Sequence, residues 1–525
     1  MKNNFVLFSI VALSISIGYL LGSEKELFIK DYQDVWRMSR LERLLTYIAN
    51  DYVEKFDTDS LVGVVIEDIV DRLDPHSVYI PSSQRQMISE NMQGNFYGIG
   101  VSFFMLGDTV TVISVIKDGP SEAAGLLAGD RILISNQDTL FQKNYSSNKI
   151  MSILKGEPGT PVNLKVYRKY ENRIFDFDLK RGKVPLPSVN SYYMLNDSTG
   201  YLKINRFSQT TFDEFKSAIQ KLQRKGMTQM ILDLRGNPGG YLHPAKQICN
   251  TFLSKGQTIV ITQSNMGEQE KTVAKGDGIF QDGKLIVLVD EQSASASEIV
   301  AGAIQDNDRG WIVGRRTFGK GLVQQQMPLG GGDAIRLTIS KYFTPTGRSI
   351  QKPYTNGRED YYQDLNNRFE NGEMADEKKI PIADSLAFKT PQGRTVYGGG
   401  GIIPDEYVSN LNTEEEEWND LILNSPMISN FVFNELDQNR KEFSELKEEE
   451  LIDLESSEIL PDYEDFYEYC KANGVEFKNG EQETLKAIRA NLAQQLFGEN
   501  AFYQINNQDD VFMVKAMKKL DSLSN

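Results

Sequence analysis

The chain is 525 residues long, enough for about three or four domains with ample core. Its formal net charge of −16 argues against nucleic acid or an anionic membrane surface as the main partner. It has only two cysteines and two histidines, so a disulfide scaffold is excluded, no Cys/His cluster has metal-ligand spacing, and no metal or other cofactor is expected. Cys249 and Cys470 fall in different predicted domains and read as separate buried thiols.

Met1-Lys2-Asn3-Asn4 is a short basic start, followed by an apolar run from Phe5 to Leu21 broken only by Ser and Gly. Such a run fits a signal peptide or an uncleaved signal anchor. Gly18-Tyr19-Leu20 and Leu20-Leu21-Gly22 put bulky residues where a cleavage site wants small ones, and no cysteine follows for a lipoprotein. Residues 1–23 are therefore expected to anchor the chain in a bacterial inner membrane, with everything after Ser23 in the periplasm. Residues 24–94 form a predicted helical region. Leu41, Leu44, Leu45 and Ile48 share one helical face, as do Leu61, Val65, Ile69 and Leu73, and Pro75 ends the second helix. His76, just beyond it, is a candidate base.

Residues 95–181 resemble a PDZ domain. Tyr97-Gly98-Ile99-Gly100-Val101-Ser102-Phe103 looks like the carboxylate-binding loop leading into a strand. Glycines there free successive N–H groups to form an anion nest for a chain terminus, which makes Gly98, Ile99, Gly100 and Val101 the candidate carboxylate site. The alternating Thr109-Val110-Thr111-Val112, the turn and helix of Gly119-Pro120-Ser121-Glu122-Ala123-Ala124-Gly125, the turn Gly129-Asp130 and the segment Lys155 to Val162 complete the pattern.

Residues 182–408 alternate strand and helix. Tyr201 to Ile204, Met230 to Leu234, Thr258 to Ile261 and Leu285 to Val289 are predicted strands. Thr211 to Lys225 is an amphipathic helix with Phe212, Phe215, Ile219 and Leu222 on one side, and Leu242 to Leu253 is another. These units predict an α/β core. After the last buried strand come Ser293-Ala294-Ser295-Ala296-Ser297-Glu298 and a small-residue helix. A serine at such a junction is well placed as a nucleophile, because N–H groups and the helix dipole can stabilise an oxyanion; close packing of a helix end would use the same residues. Lys320 sits between Gly319 and Gly321. With so few histidines, a Ser-Lys pair is the natural substitute for a triad, provided burial depresses the lysine pKa. Pro353 to Arg394 is polar and without periodicity, and reads as a surface insertion. Residues 409–525 form an acidic, predicted helical domain with apolar stripes at Leu485, Ile488, Leu492 and Leu496 and at Val514, Met517 and Leu520. It is expected either to pack on the N-terminal helices or to mediate a homodimer.

Asp233-Leu234-Arg235-Gly236-Asn237-Pro238-Gly239-Gly240, Ser293 to Ile299 and Thr317-Phe318-Gly319-Lys320-Gly321 together resemble the C-terminal processing peptidases, Ser/Lys-dyad endopeptidases carrying a PDZ domain. The likeness spans roughly Asp51 to Asp405. It implies a crotonase-like core of ββα units with an inserted PDZ domain, a partly open β-barrel with helices. The family spacing of 25 positions before the lysine selects Ser295, and Gln324 holds the place of the residue that orients Lys320. Asp306 stands where some members carry an acidic residue important for activity. The resemblance also assigns the oxyanion donors to Gly239 and Ala296, and makes the loop containing His76 structural. His243 reads as the partner of a helix end.

The leading expectation is thus an exported serine endopeptidase that cuts protein or peptide substrates with free, apolar C-termini. A catalytically silent PDZ-bearing scaffold is the alternative, and a crotonase-type acyl-CoA enzyme a distant third.

Overall fold

A computed structural model describes residues 40–55, 57–410, 414–453, 460–478 and 480–523. The expected anchor at residues 1–23 lies outside them. No helix among the described residues is long and apolar enough to cross a membrane.

The N-terminal part has helix 40–51, α1 (Thr58–Asp71), strand β1 (Val78–Ile80) and α2 (Ser82–Gln93). The two expected apolar stripes are not core: Leu41, Leu44, Ile69 and Leu73 are exposed, whereas Val70 is buried. α2 falls within the expected helical region, although none of its residues is buried.

The PDZ segment is an open antiparallel sheet in the order β2 (Val101–Leu106), β3 (Thr109–Val115), β4 (Asp130–Ser135), β5 (Pro161–Arg168) and β6 (Arg173–Lys180). Helix α3 (Ser147–Leu154) starts at Ser146, whose hydroxyl accepts the Lys149 N–H. Ile150 and Leu154 turn inward from it onto Val110, Val112, Ile132, Leu164 and Val166. β2 lies at the sheet edge, with its outer backbone groups unpaired by any strand among the described residues.

The core sheet runs β7 (Val189–Met194), β8 (Thr199–Ile204), β9 (Gln229–Asp233), then past the next two strands to β12 (Lys284–Val289), β13 (Trp311–Gly314) and β16 (Glu406–Tyr407). From β8 onward all pairings are parallel. A parallel sheet must be covered on both faces. Leu202, Met230, Leu232, Leu285 and Val287 face α4 (Thr211–Arg224), α5 (Leu242–Phe252) and α6 (Ala296–Asp306). A second sheet flanks this layer, with strand order β1, β15 (Asp333–Phe343), β10 (Thr258–Ser264) and β11 (Gln269–Val273), and with β14 (Leu322–Gly330) hairpinned onto β15.

The other face of the core sheet, with Tyr201, Ile231, Ile286, Leu288 and Val313, is covered by the C-terminal helices. This settles where that region packs. α8 (Pro426–Gln438) touches the PDZ sheet: Phe433 meets Phe104 edge-on at 4.8 Å, and Asp437 takes both Arg131 guanidinium nitrogens at 2.6 Å and Lys169 at 2.7 Å. α9 (Glu481–Phe497) packs with α8, and α10 (Glu499–Asn506) places Asn500 against β7. α11 (Val511–Ser522) lays Phe512, Met513, Ala516 and Leu520 on the sheet, while Val514 of the expected stripe is exposed.

The stretch read as a surface insertion, 353–394, contains α7 (Arg358–Glu370), which is partly core. Tyr361 is 1 % and Arg368 2 % exposed. The helix was hidden because a few long polar side chains, rather than an apolar stripe, are what it buries.

Candidate active site

Of the three serines at the β12–α6 junction, two have committed hydroxyls. Ser293 Oγ donates to Leu234 O at 2.8 Å and Ser297 Oγ to Asn237 O at 2.9 Å. Ser295 is half-buried; its oxygen faces the Glu298 N–H in a capping box, and no acceptor takes its hydroxyl hydrogen among the described residues. Its backbone lies at φ 54°, ψ −110°. A non-glycine residue held there costs about 1–3 kcal/mol, so the surroundings must enforce it.

Glu298, three residues on, supplies that enforcement. Its buried carboxylate accepts the Ser295 N–H at 2.8 Å, Thr317 Oγ1 at 2.6 Å, the Gly319 N–H at 2.8 Å and the Lys320 N–H at 2.9 Å. No cation pairs with it among the described residues, so four donors carry the charge, while burial pushes its carboxyl pKa up. One side chain thus ties the serine turn to the lysine loop. The Glu298 role was missed in the sequence, where a capping glutamate three residues into a helix is an ordinary feature.

Lys320 Nζ donates to Gln324 Oε1 at 2.8 Å, and Gln324 Nε2 in turn donates to the His76 carbonyl. Burial, with a smaller push from the Arg336 charge, lowers the Lys320 pKa to about 8. The His76 ring is turned to Tyr361. Its ring nitrogen Nε2 is 2.7 Å from the Tyr361 hydroxyl, and burial followed by the Lys320 charge lowers its pKa to about 3. It serves through its backbone, as the anchor for Gln324. His243 is exposed in the first turn of α5 and partners no helix end among the described residues.

The lysine loop is braced from behind by α7. Arg368 donates to the carbonyls of Arg316, Thr317 and Phe318, at 3.0, 3.1 and 3.3 Å. Arg316 pairs with Glu373 at 2.6 Å, both nearly fully buried.

The Gly236 to Gly240 turn lies against the serine. A Cβ on Gly239, whose φ is +96°, would stand 2.8 Å from both Ser295 Cβ and Ala296 N, so only glycine fits. Asn237 locks the turn: its side chain donates to Ile204 O at 2.8 Å and accepts the Gly239 N–H at 2.9 Å, and its carbonyl accepts Ala294 N–H at 3.0 Å. Gly239 therefore approaches the serine as expected, but its N–H is engaged by Asn237 rather than free. The N–H groups of Ala296 and Gly240 have no acceptor among the described residues.

Asp306 is not brought to this place. It ends α6, about 16 Å from Ser295 along the helix, and is held by Arg348 at 2.6 Å with both side chains fully buried, and by the Thr346 hydroxyl at 2.6 Å. Its position reads as structural.

A second site lies in the PDZ segment. Ile99, Gly100, Val101 and Phe103 line a cavity of about 400 Å³ between β2 and α3, with Met151 and Leu154 opposite and Met87 and Glu90 of α2 closing one side. Gly98 is paired with Gly182 in a short ladder, which leaves Ile99 and Gly100 at the turn itself. Lys155 at the end of α3 forms an ion pair with Glu90.

Residues 198–357 match peptidase family S41, and residues 98–179 match the PDZ domain. The carboxy-terminal processing protease CtpB of Bacillus subtilis (strain 168) is 33% identical over 323 residues, covering 60% of this chain and 66% of that protein. The carboxy-terminal-processing protease of Bartonella bacilliformis is 32% identical over 350 residues, 66% of this chain and 80% of that protein. Among solved structures, the photosystem II D1 C-terminal processing protease aligns at 24% identity with a TM-score of 0.37, over 69% of this chain and 85% of that one. A mixed α/β protease segment joined to a PDZ domain is thus the class of molecule. The chain belongs to peptidase family S41, the carboxy-terminal processing serine proteases.

Proposed function

We propose that this chain is an exported endopeptidase that uses Ser295 as nucleophile and Lys320 as base, and selects substrates through their free C-termini. The observation that carries this reading is that Glu298 ties a conformationally strained serine to a lysine whose pKa is lowered to about 8 and whose amine is held by Gln324. Neutral Lys320 takes the Ser295 proton as Oγ attacks the scissile carbonyl, and then passes it to the leaving amine. Water attacks the resulting acyl-enzyme ester, giving up its proton to Lys320, and Ser295 is regenerated. The Ala296 N–H at the start of α6, together with an N–H from the Gly239–Gly240 turn, would hold the oxyanion; Gly239 can contribute its own N–H only by releasing Asn237.

The PDZ groove supports the choice of substrate. An extended tail can add to the open edge of β2 while its carboxylate meets the Ile99–Gly100 turn and its terminal side chain enters the apolar cavity. Residues 95–181 act as this reader, 182–408 as a crotonase-like catalytic core, 24–94 and 409–525 as flanking helical regions, and 1–23 as the export segment.

A serine-reactive phosphonate should label the native protein and not Ser295→Ala. Free-acid peptides with apolar ends should be cut about ten times faster than their amidated forms, since hydrogen bonds to an ionised acceptor are about twice as strong as neutral ones. Labelling of Ser295→Ala would exclude this nucleophile. Equal cleavage of free and amidated tails would leave the PDZ segment a structural role only.

A further inference from the structure

The two candidate dyad residues share more than Glu298. Tyr342, on β15, is 1 % exposed and shares its single hydroxyl hydrogen between the Lys320 carbonyl at 2.6 Å and, more weakly, the Ser295 carbonyl at 3.1 Å. Glu298 accepts the backbone N–H of the same two residues. The contacts form a closed ring: Ser295 N–H to Glu298, Glu298 to Lys320 N–H, Lys320 C=O to the Tyr342 hydroxyl, and that hydroxyl to Ser295 C=O.

We propose that Tyr342 is a positioning residue for the reaction, and that it closes this ring so that the backbones of Ser295 and Lys320 stand at a fixed separation whatever their side chains are doing. The inference rests on the Ser295–Lys320 reading above. Two features require such a device. Lys320 is flanked by glycines, with Gly319 at φ +93°, so its own chain gives the loop little stiffness. Ser295 occupies a backbone conformation that relaxes unless both of its peptide groups are held. Glu298 holds the N–H side; the carbonyl, which also accepts the Ile299 N–H at 3.0 Å as the first bond of α6, is joined to the lysine loop by Tyr342. Burial keeps the Tyr342 hydroxyl protonated, so it remains a donor throughout the working pH range.

A merely structural tyrosine would affect stability and leave the kinetics of folded molecules alone. The test compares wild type with Tyr342→Phe, Glu298→Asp and the double variant, using a peptide with a free apolar C-terminus. Readouts are kcat, KM, the midpoint of the activity–pH curve, the rate of phosphonate labelling and thermal unfolding. Tyr342→Phe should lower kcat about 10- to 100-fold, the loss expected for a displacement on the order of 1 Å, with KM within about twofold. Its pH midpoint should move up toward the ordinary lysine value as the loosened Lys320 gains water. Losses in the double variant should be smaller than the product of the single ones, because the first substitution already opens the ring. Should Tyr342→Phe fail to fold, Glu298→Asp must show the same kcat loss and midpoint shift by itself.

Wild-type kcat with an unmoved midpoint in Tyr342→Phe overturns the inference, as do losses that simply multiply. Ser295→Ala and Lys320→Ala separate the two levels. If they abolish cleavage while Tyr342→Phe is silent, only the ring falls. If they remain active, the dyad falls and the ring with it.

Discussion

The two ends of α6 both carry a buried acid, and they do opposite things. At the N-terminal end, Glu298 has no cation among the described residues and is satisfied by four donors, three of them backbone N–H groups, around a strained serine. At the C-terminal end, Asp306 is neutralised by a fully buried Arg348. An uncompensated, multiply hydrogen-bonded charge fixes geometry at the cost of desolvation, whereas a matched ion pair is internally complete. Pairing, more than acidity, separates the two ends of the helix.

The contrast breaks most sharply in activity. Ser295→Ala and Lys320→Ala should each lose roughly 10⁴-fold or more in kcat with the thermal transition intact. Lys320→Arg should do no better, since arginine stays protonated. Retained turnover in purified Ser295→Ala would show that this end of α6 is not where bonds are made.

Asp306→Asn should give the reverse pattern. Leaving Arg348 buried without its partner should cost about 3–5 kcal/mol of stability by urea unfolding, while kcat per folded molecule stays near wild type. A stable but inactive Asp306→Asn would return this residue to the chemistry.

The lysine sharpens the comparison through pH. With the Lys320 pKa near 8, cleavage should rise about tenfold between pH 7 and pH 9 and then level off. A flat profile across that interval would mean that Lys320 does not titrate in the rate-limiting step.

The smallest expected effect is on stability. The folded-state pKa of Lys320 lies below the unfolded value of about 10.4, so folding disfavours its charged form. That penalty is full below pH 8 and disappears as pH rises toward the unfolded value. Lys320→Met should therefore stabilise the fold at pH 7 by about 1–2 kcal/mol, after discounting for partial exposure, with the gain shrinking by pH 10. Thermal melts at the two pH values decide it; a destabilised variant would show that the lysine's hydrogen bond to Gln324 outweighs its desolvation.

Much of this protein was legible in its residues. Buried strands such as Leu285 to Val289 announce themselves as continuous β-branched runs, and the amphipathic α4 by its 3.6-residue period, because burial on two faces or one leaves a direct trace in the order of residues. The three motifs around Asn237, Ser295 and Lys320 were equally plain, since glycine and small residues mark places where backbones approach closely. What the order of residues did not decide was which polar groups meet. Tyr342, Arg368 and Tyr361 look like surface or core residues of ordinary strands and helices, and the 353–394 stretch looks like loop. Hydrogen bonds and ion pairs between segments tens or hundreds of positions apart have no periodicity, so nothing local records them. The Asn237 side chain taking the Gly239 N–H, Arg348 claiming Asp306, and α11 covering the second face of the core sheet were decided only when the chain folded and each buried charge and apolar face had to find its partner.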